Sequence, residues 1–184
     1  AGLNNNLLAT ELSPSLSKLE RRLCNWFANR IGMPSDSCGV LASGGSVTNL
    51  MALVIARKNA GLQNESNAVV FASSDAHVSL KKAITVMGLA DDSLREISTN
   101  ERGQISLDSL QEQLKLLRKS GRKCFAVVAT AGTTVRGAID SISDLCGFCL
   151  RENLWLHVDG AIGGVFALIP STSELLNGIG SADS

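Results

Sequence analysis

No apolar run in this 184-residue chain approaches the roughly 18 residues that a membrane-spanning helix needs, so no transmembrane segment is expected. An excess of one charge is missing too. The 17 basic residues balance 17 acidic ones, which argues against a nucleic-acid surface or a polybasic membrane arm. Charged residues make up only 18% against 45% hydrophobic, a balance that excludes intrinsic disorder. The opening stretch AGLNNNLLATELSP (1–14) lacks a basic segment followed by a long apolar one, so no signal peptide is expected there. It also lacks an initiator Met, as if cut from something longer. Histidine is scarce. His77 and His157 alone leave little for a histidine-rich metal site, and no metal is expected. The five cysteines are odd in number and irregularly spaced, and a chain of this size buries a core without disulfide staples. They read as reduced thiols, and the compartment as cytoplasmic.

What is present is an alternation of strands and helices. Ser13-Pro14 reads as a cap followed by proline at the first helical position. Leu16, Leu19, Leu23, Phe27 and Ile31 then recur at helical spacing until Gly32 ends the helix. GVLAS (39–43) reads as a short buried strand, followed by a helix over 46–59 with Leu50, Leu53 and Val54 on one face. NAVVFAS (67–73) is a strand, 77–88 a helix and LREIS (94–98) a strand. Leu107, Leu110, Leu114 and Leu117 mark another helix. CFAVVAT (124–130), a helix over 140–151, and LWLHVD (154–159) complete the pattern. This α/β alternation implies a mostly parallel sheet with helices on both faces. The continuously apolar strands fit burial on both sides.

In open sheets of this kind, ligands bind beyond the carboxyl ends of the strands. The unusual residues fall there: Ser43-Gly44-Gly45-Ser46, Ser74-Asp75-Ala76-His77, Ala131-Gly132-Thr133-Thr134, and Asp159-Gly160-Ala161-Ile162-Gly163-Gly164. Four loops on one edge are therefore expected to converge on one ligand. Ser-Gly-Gly-Ser opening a helix suits a phosphate, because glycine lets the backbone approach an anion and the helix start offers free N–H groups. It equally suits a tight turn with a serine cap. It is neither a P-loop nor a dinucleotide fingerprint, since the following Lys-Ser/Thr and the G-x-G-x-x-G spacing are both absent.

Asp159 ends an apolar strand, where a carboxylate is costly unless paired. It suits a protonated ring nitrogen or a metal, or else caps the next turn. His157 shares a strand face with Asp159 and reads as a packed strand residue. His77 reads as a helix-start imidazole, or as a ring stacked on a planar ligand with acid–base capacity. Thr133 and Thr134 read as a turn or as hydroxyl donors. Cys146-x-x-Cys149 lies inside a predicted helix without a second pair and reads as structural. Lys81-Lys82 and Arg21-Arg22 read as solvated faces.

Together, LASGGSVTNLMALVIAR (41–57), SSDAHVSLKKAITVMGL (73–89), VVATAGTTVRGAID (127–140) and LWLHVDGAIGGVFAL (154–168) resemble the group II pyridoxal-phosphate decarboxylases. ELSPSLSKLERRLCNWF (11–27) resembles the stretch that precedes the phosphate loop in that family. The family includes aromatic-L-amino-acid, glutamate, histidine and cysteine-sulfinate decarboxylases. The resemblance implies the aspartate-aminotransferase-like large domain of fold type I, a pyridoxal 5'-phosphate cofactor, an L-amino-acid substrate converted to amine and CO2, and a homodimer in the full-length protein. By the same resemblance, Gly45 and Ser46 bind the cofactor phosphate, and His77 stacks on the pyridine ring. Thr133 bonds near the ring substituents, Asp159 pairs with the pyridine nitrogen, and Ala161 packs on the other face. His77 and Asp159 are then the catalytic pair.

Three departures stand out. Val47-Thr48 replaces a frequent Glu-Ala, Gly160 a usual Ala, and Ile162 an aromatic near the substrate, which leaves the substrate open. The family's Schiff-base lysine lies in an Asp-x-His-Lys segment just beyond an Ala-Asp-Ser stretch, and this chain ends at Ser181-Ala182-Asp183-Ser184. The seven lysines present sit in other contexts. The expectation is a partial large domain over 1–184 that is inactive alone, with the lysine, an N-terminal segment and the small domain missing. The alternatives are a sphingosine-phosphate-lyase-like relative and a non-catalytic, lysine-less phosphate-binding protein.

Overall fold

A computed structural model describes residues 10–184. The reading of the extreme N-terminus as free of a signal peptide falls largely on residues 1–9 and lies outside the described residues. The elements run α1 (Pro14–Arg30), α2 (Gly45–Asn59), β1 (Val69–Ser73), α3 (Ser79–Val86), β2 (Leu94–Ile97), α4 (Leu107–Lys119), β3 (Cys124–Thr130), α5 (Ile142–Glu152) and β4 (Trp155–Asp159), then short 3-10 turns to Ser181.

The four strands form one parallel sheet in the order β2-β1-β3-β4. Alternate side chains leave opposite faces, so each strand feeds two cores. Phe71, Val127 and Leu156 pack with Leu110, Leu114, Leu145 and Phe148 of α4 and α5. Val70, Ala72, Ala126 and Val128 pack with Leu53, Ala56, Leu80 and Ile84 of α2 and α3. The expected layer order, helix–sheet–helix, is the one found. Asp140 ties the layers at their end. Its oxygens accept the Ile105 and Thr130 N–H groups, both at 2.7 Å, and burial pushes its pKa up against the pull of those two donors.

Four details depart from the sequence expectations. Residues 39–42 form no strand. Val40 and Leu41 are 58% and 57% exposed, and the Leu41 N–H donates to Glu20 Oε1 at 2.8 Å instead of to a ladder. An apolar extended segment becomes a strand only when a partner supplies its hydrogen bonds, and no described segment does. Second, α2 buries Asn49, Ala52, Leu53 and Ala56, while Val54 is 47% exposed. A helix apolar on most sides does not reveal its buried face by pattern. Third, Ser13 makes no side-chain cap, and its carbonyl accepts the Ser17 N–H as α1 begins. Fourth, the stripe of α1 stays largely open, with Leu19, Trp26 and Phe27 exposed. Gly32, at φ 78°, ends that helix as expected. Cys146 and Cys149 sit in α5 unpaired, and burial drives the Cys149 thiol far above its usual range. Lys81, Lys82, Arg21 and Arg22 are exposed.

Candidate functional site

The loops at the carboxyl edge of the sheet enclose a cavity of about 280 Å³. All four expected loops reach it: Gly45 and Ser46 from the first, His77 from the second, Gly132 and Thr134 from the third, Asp159, Ala161 and Ile162 from the last. A hollow of about 400 Å³ lies at the opposite edge, but its Arg118 and Arg122 already pair with Glu152 and Asp92 at 2.6 Å. Chemistry rather than size therefore selects the smaller cavity.

One end of the cavity is the start of α2. Gly44 precedes it at φ 152°, a conformation that side chains rarely adopt. The Val47 and Thr48 N–H groups return to the Gly44 carbonyl, which leaves those of Gly45 and Ser46 as the orphan donors of the helix start. With the exposed Ser46 hydroxyl they make an anion cradle.

Asp159, buried at the end of β4, also lines the cavity. Oδ1 accepts the Ala161 N–H at 3.1 Å, and Oδ2 accepts Asn49 Nδ2 at 2.8 Å. Asn49 is a member of the site that the sequence reading passed over. Its signal is a polar residue inside an otherwise apolar helix stripe. Its Oδ1 stands 3.0 Å from Nε2 of His157, which is buried beside Asp159 as strand alternation predicts. Burial pushes His157 below the ordinary histidine value of 6.5, against the opposing pull of the Asp159 carboxylate.

That shift has a sign. The unfolded histidine takes up a proton near pH 6.5, and the folded one resists until a lower pH. Stability is therefore full above pH 6.5 and declines as pH falls from there through the depressed folded value. Denaturant midpoints measured against pH should fall over that window, with a shallower fall in His157→Gln. Identical slopes in the two proteins would refute the assignment.

His77 stands at the exposed rim. Its Nδ1 accepts the Ser79 backbone N–H at 3.2 Å and lies 2.9 Å from Ser79 Oγ, so the ring proton sits on Nε2. Thr133 is placed differently from the other candidates. It is buried in its own turn, its Oγ1 accepting the Ala138 N–H at 3.0 Å, and it is the neighbouring Thr134 that lines the cavity. Thr130, at the end of β3, also lines it, and its hydroxyl is buried without a partner. A buried hydroxyl left without a partner beside a cavity is a group that calls for an explanation.

The profile of the pyridoxal-dependent decarboxylase conserved domain matches residues 1–184. The chain belongs to that family. Among relatives, it is 40% identical to the aromatic-L-amino-acid decarboxylase of Bacillus atrophaeus over 91% of this chain and 35% of that protein. It is 34% identical to human cysteine sulfinic acid decarboxylase over 99% of this chain and 38% of that protein. The crystal structure of mouse CSAD in apo form superposes with a TM-score of 0.92 at 32% identity, covering 98% of this chain and 40% of that one. A glutamate decarboxylase domain from Vibrio parahaemolyticus gives 0.91 at 26% identity, covering 98% and 42%. The chain thus spans little more than a third of the length of these relatives. The fold is that of the decarboxylases, as the resemblance implied.

In this decarboxylase-family chain, Gly45, Ser46, His77, Asp159 and Ala161 share one cavity, and Thr133 stands behind it. The residues fit a phosphorylated pyridine. The anion cradle and the buried carboxylate line the same cavity, and Thr130, whose hydroxyl is buried without a partner, lines it with them.

Proposed function

We propose that the protein carrying this chain is a pyridoxal-phosphate-dependent L-amino-acid decarboxylase that releases an amine and CO2. The observation that carries the reading is the presence of a buried, hydrogen-bonded Asp159 and the α2 anion cradle in the lining of one small cavity. Pyridoxal phosphate, when bound, supplies an electron sink for the charge left by loss of CO2.

The chain's own residues hold and orient it. Ser46 and the Gly45 and Ser46 N–H groups would take the phosphate. Asp159 would face the ring nitrogen, where a carboxylate favours the protonated, charged ring. The His77 imidazole would cover one face of the ring and Ala161 the other, and together they would fix its orientation. Ile162 would form part of the substrate wall. We further propose that 1–184 is part of the cofactor-binding large domain. None of the seven lysines lines the cavity, so these residues alone would lack the lysine that holds the cofactor covalently and would be inactive. A homodimer would cover the open stripe of α1, and the unpaired cysteines suit the cytoplasm.

The test is CO2 release from L-amino acids by the intact protein loaded with pyridoxal phosphate. No release from any amino acid would overturn the reading. Ser46→Ala removes a hydroxyl bonded to a charged group, which should weaken pyridoxal-phosphate binding by roughly tenfold or more in equilibrium dialysis. Unchanged affinity would remove the phosphate from this end of the cavity.

A further inference from the structure

Asn49 is 2% exposed on a stripe otherwise made of Ala52, Leu53 and Ala56. An amide in such a place is costly unless every donor and acceptor is used. Here all are used. Nδ2 donates to Asp159 Oδ2 at 2.8 Å and to Ser79 Oγ at 2.9 Å, and Oδ1 faces His157 Nε2 at 3.0 Å.

The direction of each bond follows from groups that have no choice. The Asp159 carboxylate only accepts, so the Asn49 nitrogen must face it and the Asn49 oxygen must face His157. His157 therefore carries its proton on Nε2, and its Nδ1 accepts from the Ser184 hydroxyl at 3.0 Å. Ser184 Oγ in turn accepts the Trp155 indole N–H, which can only donate, at 2.9 Å. On the other branch Ser79 Oγ accepts from Asn49, which frees its own proton for His77 Nδ1. The network runs from a pure donor at Trp155 to a pure acceptor at Asp159. Turning the Asn49 amide over would set two oxygens against each other at one end and two N–H groups at the other.

We propose that Asn49 is the positioning residue of this site: one amide aims the Asp159 carboxylate at the cofactor ring nitrogen and, through Ser79, orients the His77 ring over it. This rests on the pyridoxal-phosphate reading given above. His157, locked from behind by Ser184, stops the amide from turning. Without Asn49, Oδ2 of Asp159 loses its buried donor and the carboxylate is held by the Ala161 N–H alone.

The test uses the intact protein and two probes, pyridoxal phosphate and its carbocyclic analogue with CH in place of the ring nitrogen. The readout is the ratio of their dissociation constants, because a purely structural role would weaken both alike. The unsubstituted protein should prefer pyridoxal phosphate. Asn49→Ala should shrink that preference by roughly tenfold or more, the value of one hydrogen bond to a charged group. Ser79→Ala, which removes the link to His77 and leaves the Asn49–Asp159 bond in place, should leave the ratio unchanged. Should Asn49→Ala fail to fold, the pair His157→Leu and His157→Gln carries the same test. The leucine should lower the ratio, and the glutamine, which keeps an N–H for Asn49, should restore it. A preference that survives in the variants overturns the inference and leaves the proposed function standing. An unsubstituted protein that binds neither probe, or both equally, overturns the proposed function and the inference with it.

Discussion

Asp159→Asn should lower decarboxylation by the intact protein roughly a thousandfold, the scale on which removal of a single preorganised electrostatic group acts in a water-excluded site. Two effects reinforce each other. The substitution removes the one carboxylate that lines the cavity among the described residues. It also breaks the local hydrogen bonding, because the Asp159 oxygens take N–H donors from both Ala161 and Asn49 and an asparagine has a single acceptor oxygen. One donor is left facing an NH2 group, at a cost of about 1–3 kcal/mol in folding stability. The measurement is amine and CO2 production at saturating cofactor, with a denaturant curve to show that the variant is folded. Near-normal turnover in a folded variant would remove Asp159 from the chemistry.

Gly163→Ala should be nearly as damaging, although residue 163 contributes no side chain. Its φ of -97° is open to any residue, so the difficulty is space and not backbone conformation. A Cβ there would collide with the Ala131 carbonyl oxygen and stand 2.9 Å from the Ala131 carbonyl carbon. Both are backbone atoms, and Ala131 O also accepts the Gly163 N–H at 2.8 Å. The loop after β3 and the loop after β4 would have to part, and with them the Thr134 and Ile162 walls of the cavity. The expected cost is about 1–3 kcal/mol, together with a roughly hundredfold loss of activity from misplacement on the 1 Å scale. Gly164→Ala is the control, since a Cβ there meets nothing within 4 Å. Equal urea midpoints and equal rates for the two variants would show that this close approach does not matter.

The sequence was most legible where local pattern and burial agree. Cys124–Thr130 is strand from end to end, as read, because a seven-residue apolar run buried on both faces has little other outcome. Pattern failed where the answer depended on a distant partner. GVLAS has the composition of a strand and no ladder to join. Helix α2 is apolar on too many sides for its own residues to say that Asn49, and not Val54, faces the sheet. Thr130, Thr133 and Thr134 are chemically alike and nearly adjacent. Only the turn that closes Thr133 onto Ala138 decides which two of them meet the cavity.

What the chain alone determined was the alternation of strands and helices, the parallel sheet, and the four loops that carry Ser46, His77, Thr134 and Asp159 to one edge. Those follow from hydrophobic period and from turn residues, which act over a few positions. The tertiary structure decided how the polar groups are joined. Asn49 meets Asp159 across 110 positions and His157 across 108, and no local rule reaches that far. The packing of α2 on β4 brought them within hydrogen-bond range, and the cost of burying an unpaired amide or carboxylate then required each to take the other as a partner.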